Sequence, residues 1–346
     1  MAERLRVVQW GTGNIGMRAL RETIRHPDLE VAGVFVYGAA KDGVDAGELC
    51  GEVPVGVTAT TDRAAVHALG ADCVLHMPSA LELDDVVEFL AAGTNVVTTR
   101  GELFAGCRRL DEATRARVDD ACAQGNASLY ATGSSPGFIT DALPLALLSM
   151  QRRVDLVEIE EFANLSRRPS PELLFELMGF GRSLDAYNPA GRAEHLRGEF
   201  GPPLEQLMEA AGVPVDGWTS EGDVAVAREP TSILAGHIDA GAVAGQRTTI
   251  VGTHGGVPVV RFTATWYCTP DLDPAWDLRA TGWRVRVRGD ASMDVEIGFP
   301  VALDDMAAFT PALTANRPVN AVAPVCAARP GILTTADLPP LAPGRP

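Results

Sequence analysis

The sequence predicts an α/β protein: an N-terminal doubly wound parallel sheet, followed by a second α+β domain that contains a mostly antiparallel sheet. Apolar strands alternate with helical patterns up to residue 138, and long segments of alternating polarity follow. A chain of 346 residues, 46% of them hydrophobic, is long enough for two domains. We expect the first domain to comprise residues 1–138 with segment 311–346 returning to it, and the second to comprise residues 139–310.

The first strand and the first helix enclose a glycine-rich turn. The apolar run Leu5–Trp10 meets Gly11, Gly13 and Gly16 in the G-x-G-x-x-G spacing, and a helical pattern follows at once. Gly11 allows a tight turn, Gly13 lets the backbone approach a pyrophosphate, and Gly16 lets helix and strand pack closely. A merely structural turn would leave this spacing unexplained, so the motif predicts a Rossmann dinucleotide-binding domain. The predicted pyrophosphate site consists of Gly11, Thr12, Gly13, Asn14, Ile15 and Gly16.

The end of the second strand bears on the choice of dinucleotide. The strand spans residues 30–37, and the acid that binds the ribose of NAD is normally found there, about 20 residues past the last glycine. Val36 occupies that position, so no carboxylate there repels a 2′-phosphate, and we expect NADP(H) to be accepted. Tyr37, the next residue, is a further cofactor-binding candidate. Lys41 either pairs with the 2′-phosphate or only solvates a loop. Asp42 offers a carboxylate for the ribose of NAD(H), so NAD(H) stays a second candidate cofactor.

The following βα repeats place further polar residues at one edge of the sheet. Strands over 72–79, 95–99 and 127–132 alternate with helices over 81–92 and 111–124, and a Gly-rich loop spans 43–56. Loops that follow parallel strands face one crevice. We expect the serines there to bond the ribose and carboxamide of the cofactor, and His76 to pack against it rather than act as a general acid. The additional cofactor candidates are His76, Pro78, Ser79, Ser134, Ser135 and Gly137.

The second half of the chain changes in pattern. Residues 154–162 alternate in polarity, and residues 171–178 and 203–211 are predicted to be helical. Alternating segments then predict strands, and their large side chains on both faces predict a homodimer built on this sheet. These segments span 232–240, 247–254, 257–268 and 282–299. A late helix is expected over 311–328, before a loose tail from Leu338.

Composition excludes several classes of function. A net charge of −16 argues against nucleic acid and against an anionic membrane surface, and no apolar run approaches the roughly 20 residues of a membrane span. We expect a cytoplasmic protein. The six cysteines form no C-x-x-C pair and are predicted to be reduced thiols, and the histidines show no metal-ligand spacing, so no metal is predicted. Lys41 is the only lysine, which excludes mechanisms that need a catalytic lysine later in the chain.

Four motifs together carry a resemblance to a known group. They are the turn within residues 8–16, Asp-Ala-Gly-Glu-Leu-Cys-Gly at 45–51, Thr-Thr-Arg-Gly-Glu-Leu-Phe at 98–104, and Gly-Ser-Ser-Pro-Gly-Phe at 133–138. With them the chain resembles the dihydrodipicolinate-reductase-like proteins that include 2,4-diaminopentanoate dehydrogenase and the native amine dehydrogenases. The resemblance implies a homodimer and an NAD(P)-dependent interconversion of an amine with a ketone or aldehyde. It departs at Ser135, where the family usually carries Asn.

The resemblance also implies a catalytic residue. In the amine dehydrogenases a glutamate after the fifth strand faces the reacting nitrogen, and Glu102 matches it. From the residues alone, Glu102 lies beside Leu103 and Phe104, where a carboxylate needs a cation, which an ammonium or iminium substrate would provide. An exposed loop glutamate or a helix-capping partner is the alternative. The chain lacks the His-His and lysine signature of true dihydrodipicolinate reductases, so that activity is rejected.

The expected partners are a small carbonyl or amine substrate and ammonia. Phe138, Asn164 and Trp266 are predicted to line the substrate pocket, with core packing as the alternative for the latter two. A diamino-acid dehydrogenase stays open, in which Arg100, Arg182 or Arg192 would bind a substrate carboxylate. A catalytically degenerate sensor that only binds NADP is the third reading.

Overall fold

The structure is a computed structural model that describes residues 3–344. Its strands are β1 (Leu5–Trp10), β2 (Leu29–Phe35), β3 (Ala59–Thr60), β4 (Cys73–His76), β5 (Asn95–Thr98), β6 (Ser128–Ala131), β7 (Val154–Asn164), β8 (Gly217–Ala227), β9 (Thr231–Ile233), β10 (Gly236–Ile238), β11 (Val243–His254), β12 (Val257–Tyr267), β13 (Leu272–Asp273), β14 (Gly282–Gly289), β15 (Met293–Gly298) and β16 (Gly331–Leu333). Its helices are α1 (Asn14–Arg25), α2 (Ala46–Cys50), α3 (Arg63–His67), α4 (Leu83–Ala91), α5 (Phe104–Cys107), α6 (Glu112–Gly125), α7 (Leu143–Leu148), α8 (Pro189–Ala210) and α9 (Met306–Cys326).

The chain divides into two compact units. The first runs to Phe138 and resumes at Thr310, and the second spans Ile139–Phe309. No helix within residues 3–344 has the length and apolarity needed to cross a membrane.

The first unit is built on a parallel sheet with the strand order β16-β6-β5-β4-β1-β2-β3. This confirms the predicted doubly wound sheet. In the ladder Trp10 is paired with Phe35 and His76, His76 with Thr98, and Thr98 with Ala131. The carboxyl ends of five strands are therefore level with one another, and the loops that follow them meet along one edge.

Helices cover both faces of this sheet, which explains why its strands are continuous apolar runs. On one face Trp10, Phe89 and Leu129 belong to a single buried cluster. On the other, Leu75 and Tyr130 pack with Val322 of α9, so the C-terminal helix completes the core of the first unit. The edge strand β16 was not predicted, because three residues are too few to show a period. The predicted loose tail is wrong in part: Leu338 and Leu341 pack against the same core, and residues 345 and 346 lie outside the described part.

The second unit contains a mixed sheet with the order β13-β8-β11-β12-β7-β14-β15. Only β7 and β12 run parallel among these neighbours, so the prediction of a mostly antiparallel sheet is confirmed. Helix α8 packs on one face, where Phe200 stacks on Phe262 with ring centroids 4.2 Å apart.

The structure corrects several of the predicted helices, strands and loops. The helix expected at 203–211 begins earlier, at Pro189. The prediction placed its start too late because Pro202 and Pro203 normally interrupt a helix, but here they lie inside it. The strand expected at 232–240 is the hairpin β9–β10. Strand β8 was missed, since its polar residues hide the period. The loop at 43–56 contains α2, which is capped by the Asp45 side chain.

Candidate functional site

The glycine turn after β1 has the geometry that its three glycines require. Gly11 has a φ of +87°, and a Cβ there would lie 2.9 Å from the carbonyl oxygen of Met77. A Cβ on Gly16 would lie 2.1 Å from the carbonyl oxygen of Gly11, so helix and turn touch. A Cβ on Gly13 would meet no atom of the described residues within 4 Å. Gly11 and Gly16 are therefore needed for packing, whereas Gly13 faces open space.

The N-terminus of α1 begins at this open space. Gly13 is the N-cap residue, no side chain caps the helix, and its first turn contains no acidic residue. The amides of the first turn are thus not satisfied by a local carboxylate, and the helix dipole adds positive potential. These features fit a dinucleotide pyrophosphate bound over Gly13.

The loop after β2 returns to the glycine turn through Lys41. Its Nζ donates to the carbonyl oxygen of Thr12 at 2.7 Å and contacts Thr12 Oγ1 at 3.2 Å. The ammonium group therefore lies at the glycine turn, where it can meet a bound phosphate. Val36 is buried, and Tyr37, the next residue, is 48% exposed.

An acidic group that the sequence analysis missed lies beside Tyr37. The Tyr37 hydroxyl accepts from Trp10 Nε1 at 3.3 Å and donates to Glu82 Oε2 at 3.2 Å. Arg63 binds the carboxylates of both Glu82 and Asp85. Burial, joined by the charge of Glu82, raises the pKa of Tyr37. No sequence motif indicated this cluster, because its members come from four separate elements and loops.

The end of β4 carries His76, Pro78 and Ser79. His76 is fully buried, and neither ring nitrogen has a hydrogen-bond partner among the described residues. Burial, with the Arg100 charge adding to it, lowers the pKa of His76 to about 3, so the ring is neutral. The imidazole is packed inside the unit, and its contact with a cofactor stays a prediction. Pro78 is buried and Ser79 exposed.

The turn after β6 presents the predicted serines. Ser134 Oγ is hydrogen-bonded to Thr314 Oγ1 at 2.7 Å, whereas Ser135 Oγ is buried without a partner in the described residues. Gly137 has a φ of +122°, which favours glycine there. Arg317 lies 5.8 Å from the Phe138 ring. That Ser134 and Ser135 contact a cofactor stays a prediction.

Glu102 follows β5 at the same edge. Arg100 donates two hydrogen bonds to the Glu102 carboxylate. Nη2 donates to Oε1, and Nε donates to Oε2 at 3.2 Å. Burial would raise the pKa of Glu102, but the hydrogen bond and charge of Arg100 outweigh it and hold this pKa below its usual value. Its side chain is 34% exposed. The cation beside Glu102 in the structure is Arg100, and its contact with a substrate nitrogen stays a prediction.

The pocket candidates Asn164 and Trp266 belong to the second unit. Asn164 Oδ1 accepts from the backbone N–H and hydroxyl of Ser166, at 3.0 and 2.7 Å, so it stabilises a local turn. Trp266 Nε1 donates to Glu161 Oε1 at 2.9 Å, and Trp283 Nε1 donates to Glu161 Oε2 at 3.1 Å. Glu161 was missed because it is one of several acids in an alternating strand.

Arg192, at the start of α8, also lies against Trp266. Its Cζ is 5.5 Å from the centre of the indole. Its Nε is buried without a hydrogen-bond partner in the described residues, and burial lowers the pKa of its guanidinium. Within residues 3–344, no group of three or more His, Cys, Asp or Glu side chains is arranged to hold a metal ion.

The first unit thus brings together the glycine turn, Tyr37, Lys41, Ser79, Glu102 and the turn from Ser134 to Gly137 along one edge of a parallel sheet. Such an edge, with a glycine turn at its centre, is the binding edge of dinucleotide-binding folds. The fold therefore places the chain in the class of two-unit proteins with a dinucleotide-binding unit.

Within this class the chain is similar to amine dehydrogenases. It is 29% identical over 345 residues to an amine dehydrogenase of Streptomyces virginiae, covering 96% of this chain and 95% of that protein. The structure of an amine dehydrogenase from Mycobacterium smegmatis matches with a TM-score of 0.76 and 22% identity, over 98% of this chain and 97% of the other. GenD2 from gentamicin A biosynthesis, solved with NAD, matches with a TM-score of 0.52 and 16% identity over 86% and 73% of the two chains. No family model matches. The dihydrodipicolinate-reductase-like assignment stays a prediction.

Proposed function

We propose that the protein is an NAD(P)-dependent amine dehydrogenase, which aminates a ketone or aldehyde with ammonia and catalyses the reverse deamination. The observation that carries the proposal is the Glu102 carboxylate, which follows β5 at the sheet edge that contains the glycine turn. Similarity to the Streptomyces virginiae amine dehydrogenase over nearly the whole chain supports it.

The first unit supplies the groups that would hold the cofactor. The open face of Gly13 and the uncapped start of α1 suit the pyrophosphate, and the unpartnered hydroxyl of Ser135 suits a polar group of the nicotinamide half. When bound, the nicotinamide supplies or accepts the hydride. NADP(H) and NAD(H) are both candidates.

Glu102 is the proposed catalytic residue. As a carboxylate it accepts a hydrogen bond from ammonia, takes a proton as the C–N bond forms, and stabilises the positive iminium after water leaves. Because Arg100 lowers its pKa, Glu102 is ionised throughout the neutral range. Arg100 also donates to the carbonyl oxygen of Ser79 at 2.7 Å, so it anchors the carboxylate to the loop after β4.

A diamino-acid dehydrogenase is the second candidate, and Arg192 favours it. Of the three candidate arginines for a substrate carboxylate, Arg100 is engaged by Glu102, and Arg182 donates to the carbonyl oxygen of Glu176 at 3.1 Å. Arg192 alone among them keeps a buried nitrogen that has no hydrogen-bond partner within residues 3–344. A half-buried guanidinium of this kind gains free energy from an anion.

The proposal is tested by cofactor oxidation with ammonia and a panel of ketones, aldehydes and oxo acids. Glu102→Gln should lose about 10²–10⁴-fold in kcat/KM, the range for a positioned acid–base group, with NADPH affinity unchanged. Glu112→Gln, an exposed glutamate at the start of α6, is the control and should behave as the parent.

Three other outcomes discriminate between the readings. Near-parental amination by Glu102→Gln would contradict the assigned role. A parent protein that binds NADPH but turns over no carbonyl would support the sensor reading. Preference for oxo acids that Arg192→Gln removes would favour the diamino-acid reading.

A further inference from the structure

The end of β2 lacks an acid of its own, but the fold brings one to it from another loop. In the sheet β1 lies between β2 and β4. Glu82, just before α4, reaches across the end of β1 and accepts a hydrogen bond from Tyr37, the second residue after β2. Trp10, the last residue of β1, donates to the same hydroxyl. The carboxylate thus stands beside the strand end where dinucleotide-binding folds recognise the adenosine ribose.

Arg63 holds Glu82 in that position. Its guanidinium binds Glu82 with one nitrogen and Asp85 with another. The same guanidinium lies over the rings of Trp10, Phe35 and Tyr37, with Cζ 5.6, 5.2 and 5.8 Å from their centres. One guanidinium is therefore shared between two carboxylates, so Arg63 is engaged by Glu82 and Asp85 rather than free to pair with a phosphate. Burial alone would raise the pKa of Glu82, but the hydrogen bond and charge of Arg63 outweigh burial and hold this pKa below its usual value. Glu82 is therefore ionised.

Lys41, in the loop after β2, provides the opposite charge. Its Nζ is bound to Thr12 in the glycine turn, and no carboxylate of the described residues lies within ion-pair distance of it. A ribose 2′-hydroxyl can donate to a carboxylate, whereas a 2′-phosphate is repelled by a carboxylate and attracted by an ammonium.

We propose that Glu82, held by Arg63, is the specificity-determining acid for the adenosine ribose, and that it acts against Lys41 to set the preference between NAD(H) and NADP(H). The inference rests on the proposed function only in that the chain must bind a dinucleotide. It replaces the expectation from Val36 alone, since the missing acid is supplied by a loop some 45 residues later in the chain. Arg63 is a positioning residue in this scheme.

The test is a fluorescence titration of NADH and NADPH, which reports binding without any turnover. Glu82→Gln should lower the ratio Kd(NADPH)/Kd(NADH) about tenfold, because it removes one unit charge beside the ribose site. Asp84→Asn removes a charge from an exposed position of the same helix, where Asp84 pairs with Arg117 of α6, and should leave the ratio unchanged. Lys41→Ala should raise the ratio.

A second variant separates recognition from folding. Arg63→Lys keeps the charge but not the two-pronged contact, so Glu82 loses its anchor and the ratio should move towards that of Glu82→Gln. A folded Glu82→Gln protein, as judged by thermal unfolding, with the parental ratio would overturn the proposal, as would a parent that binds neither dinucleotide. A shifted ratio in a protein that aminates no carbonyl would refute the amine dehydrogenase and leave this inference standing.

Discussion

Gly13→Ala isolates cofactor binding from folding more cleanly than any other change in the glycine turn. The backbone at Gly13 has φ −71° and ψ −169°, which alanine adopts freely, and the new Cβ would meet no atom within 4 Å in the part of the chain that the structure describes. The methyl group would occupy the space over the start of α1, where the pyrophosphate is expected to bind. The variant should therefore fold normally and bind dinucleotide poorly.

The size of each effect follows from this geometry. Replacing glycine by alanine at an N-cap changes helix stability by at most about 1 kcal/mol. A methyl group that holds the pyrophosphate away from the amides removes at least one charge-assisted hydrogen bond, worth about 1.5–3 kcal/mol, which corresponds to a loss of roughly 10–100-fold in affinity.

Two other glycines provide matched comparisons. Gly198→Ala, in the middle of α8, also adds a methyl group in open space and should stabilise the protein by about 0.5–1 kcal/mol with parental affinity. Gly16→Ala places its Cβ 2.1 Å from the Gly11 carbonyl oxygen and should destabilise by about 1–3 kcal/mol.

The assay combines thermal unfolding of all three variants with fluorescence titration of NADH and NADPH. If Gly13→Ala bound both dinucleotides as tightly as the parent, the pyrophosphate would not lie over Gly13, and the glycine turn would be only a packing feature. If it unfolded like Gly16→Ala, the space over Gly13 would not be open.

Three further predictions concern other parts of the molecule. Arg100→Gln removes the guanidinium that lowers the pKa of Glu102, so the acid limb of the kcat/KM profile should move to higher pH; an unmoved limb would mean that another group titrates. Lys41→Ala should weaken NADP(H) by up to about 1–2 kcal/mol and spare NAD(H), and equal losses for both would exclude a phosphate contact. The protein should be a homodimer by light scattering at micromolar concentration, built on the sheet of the second unit. A monomer would contradict this prediction. Arg261 and Arg288 pair with Glu158 on the sheet face opposite α8, and a dimer that persists when both arginines are replaced by glutamate would also contradict it.

Much of the first unit could be predicted from the sequence because its signals are local. The G-x-G-x-x-G turn, the apolar strands and the position of Glu102 after β5 depend on residues a few positions apart, and a period or a motif shows them. The level strand ends follow from the parallel sheet. These features placed the cofactor candidates and Glu102 at one edge before any contact was known.

Only the tertiary structure decided which charges meet there. Glu82 reaches Tyr37 across 45 positions of chain, and Arg63 binds Glu82 across 19. Within the second unit, Glu161 likewise accepts hydrogen bonds from Trp266 and Trp283 across 105 and 122 positions. Even Arg100, two residues from Glu102, was one of three candidates for binding a substrate carboxylate, and only the structure showed that it binds the Glu102 carboxylate. Sequence patterns report the burial of each residue, whereas a pair of charges depends on how distant segments pack, and the identity of Glu82 as the acid beside β2 depends on that packing.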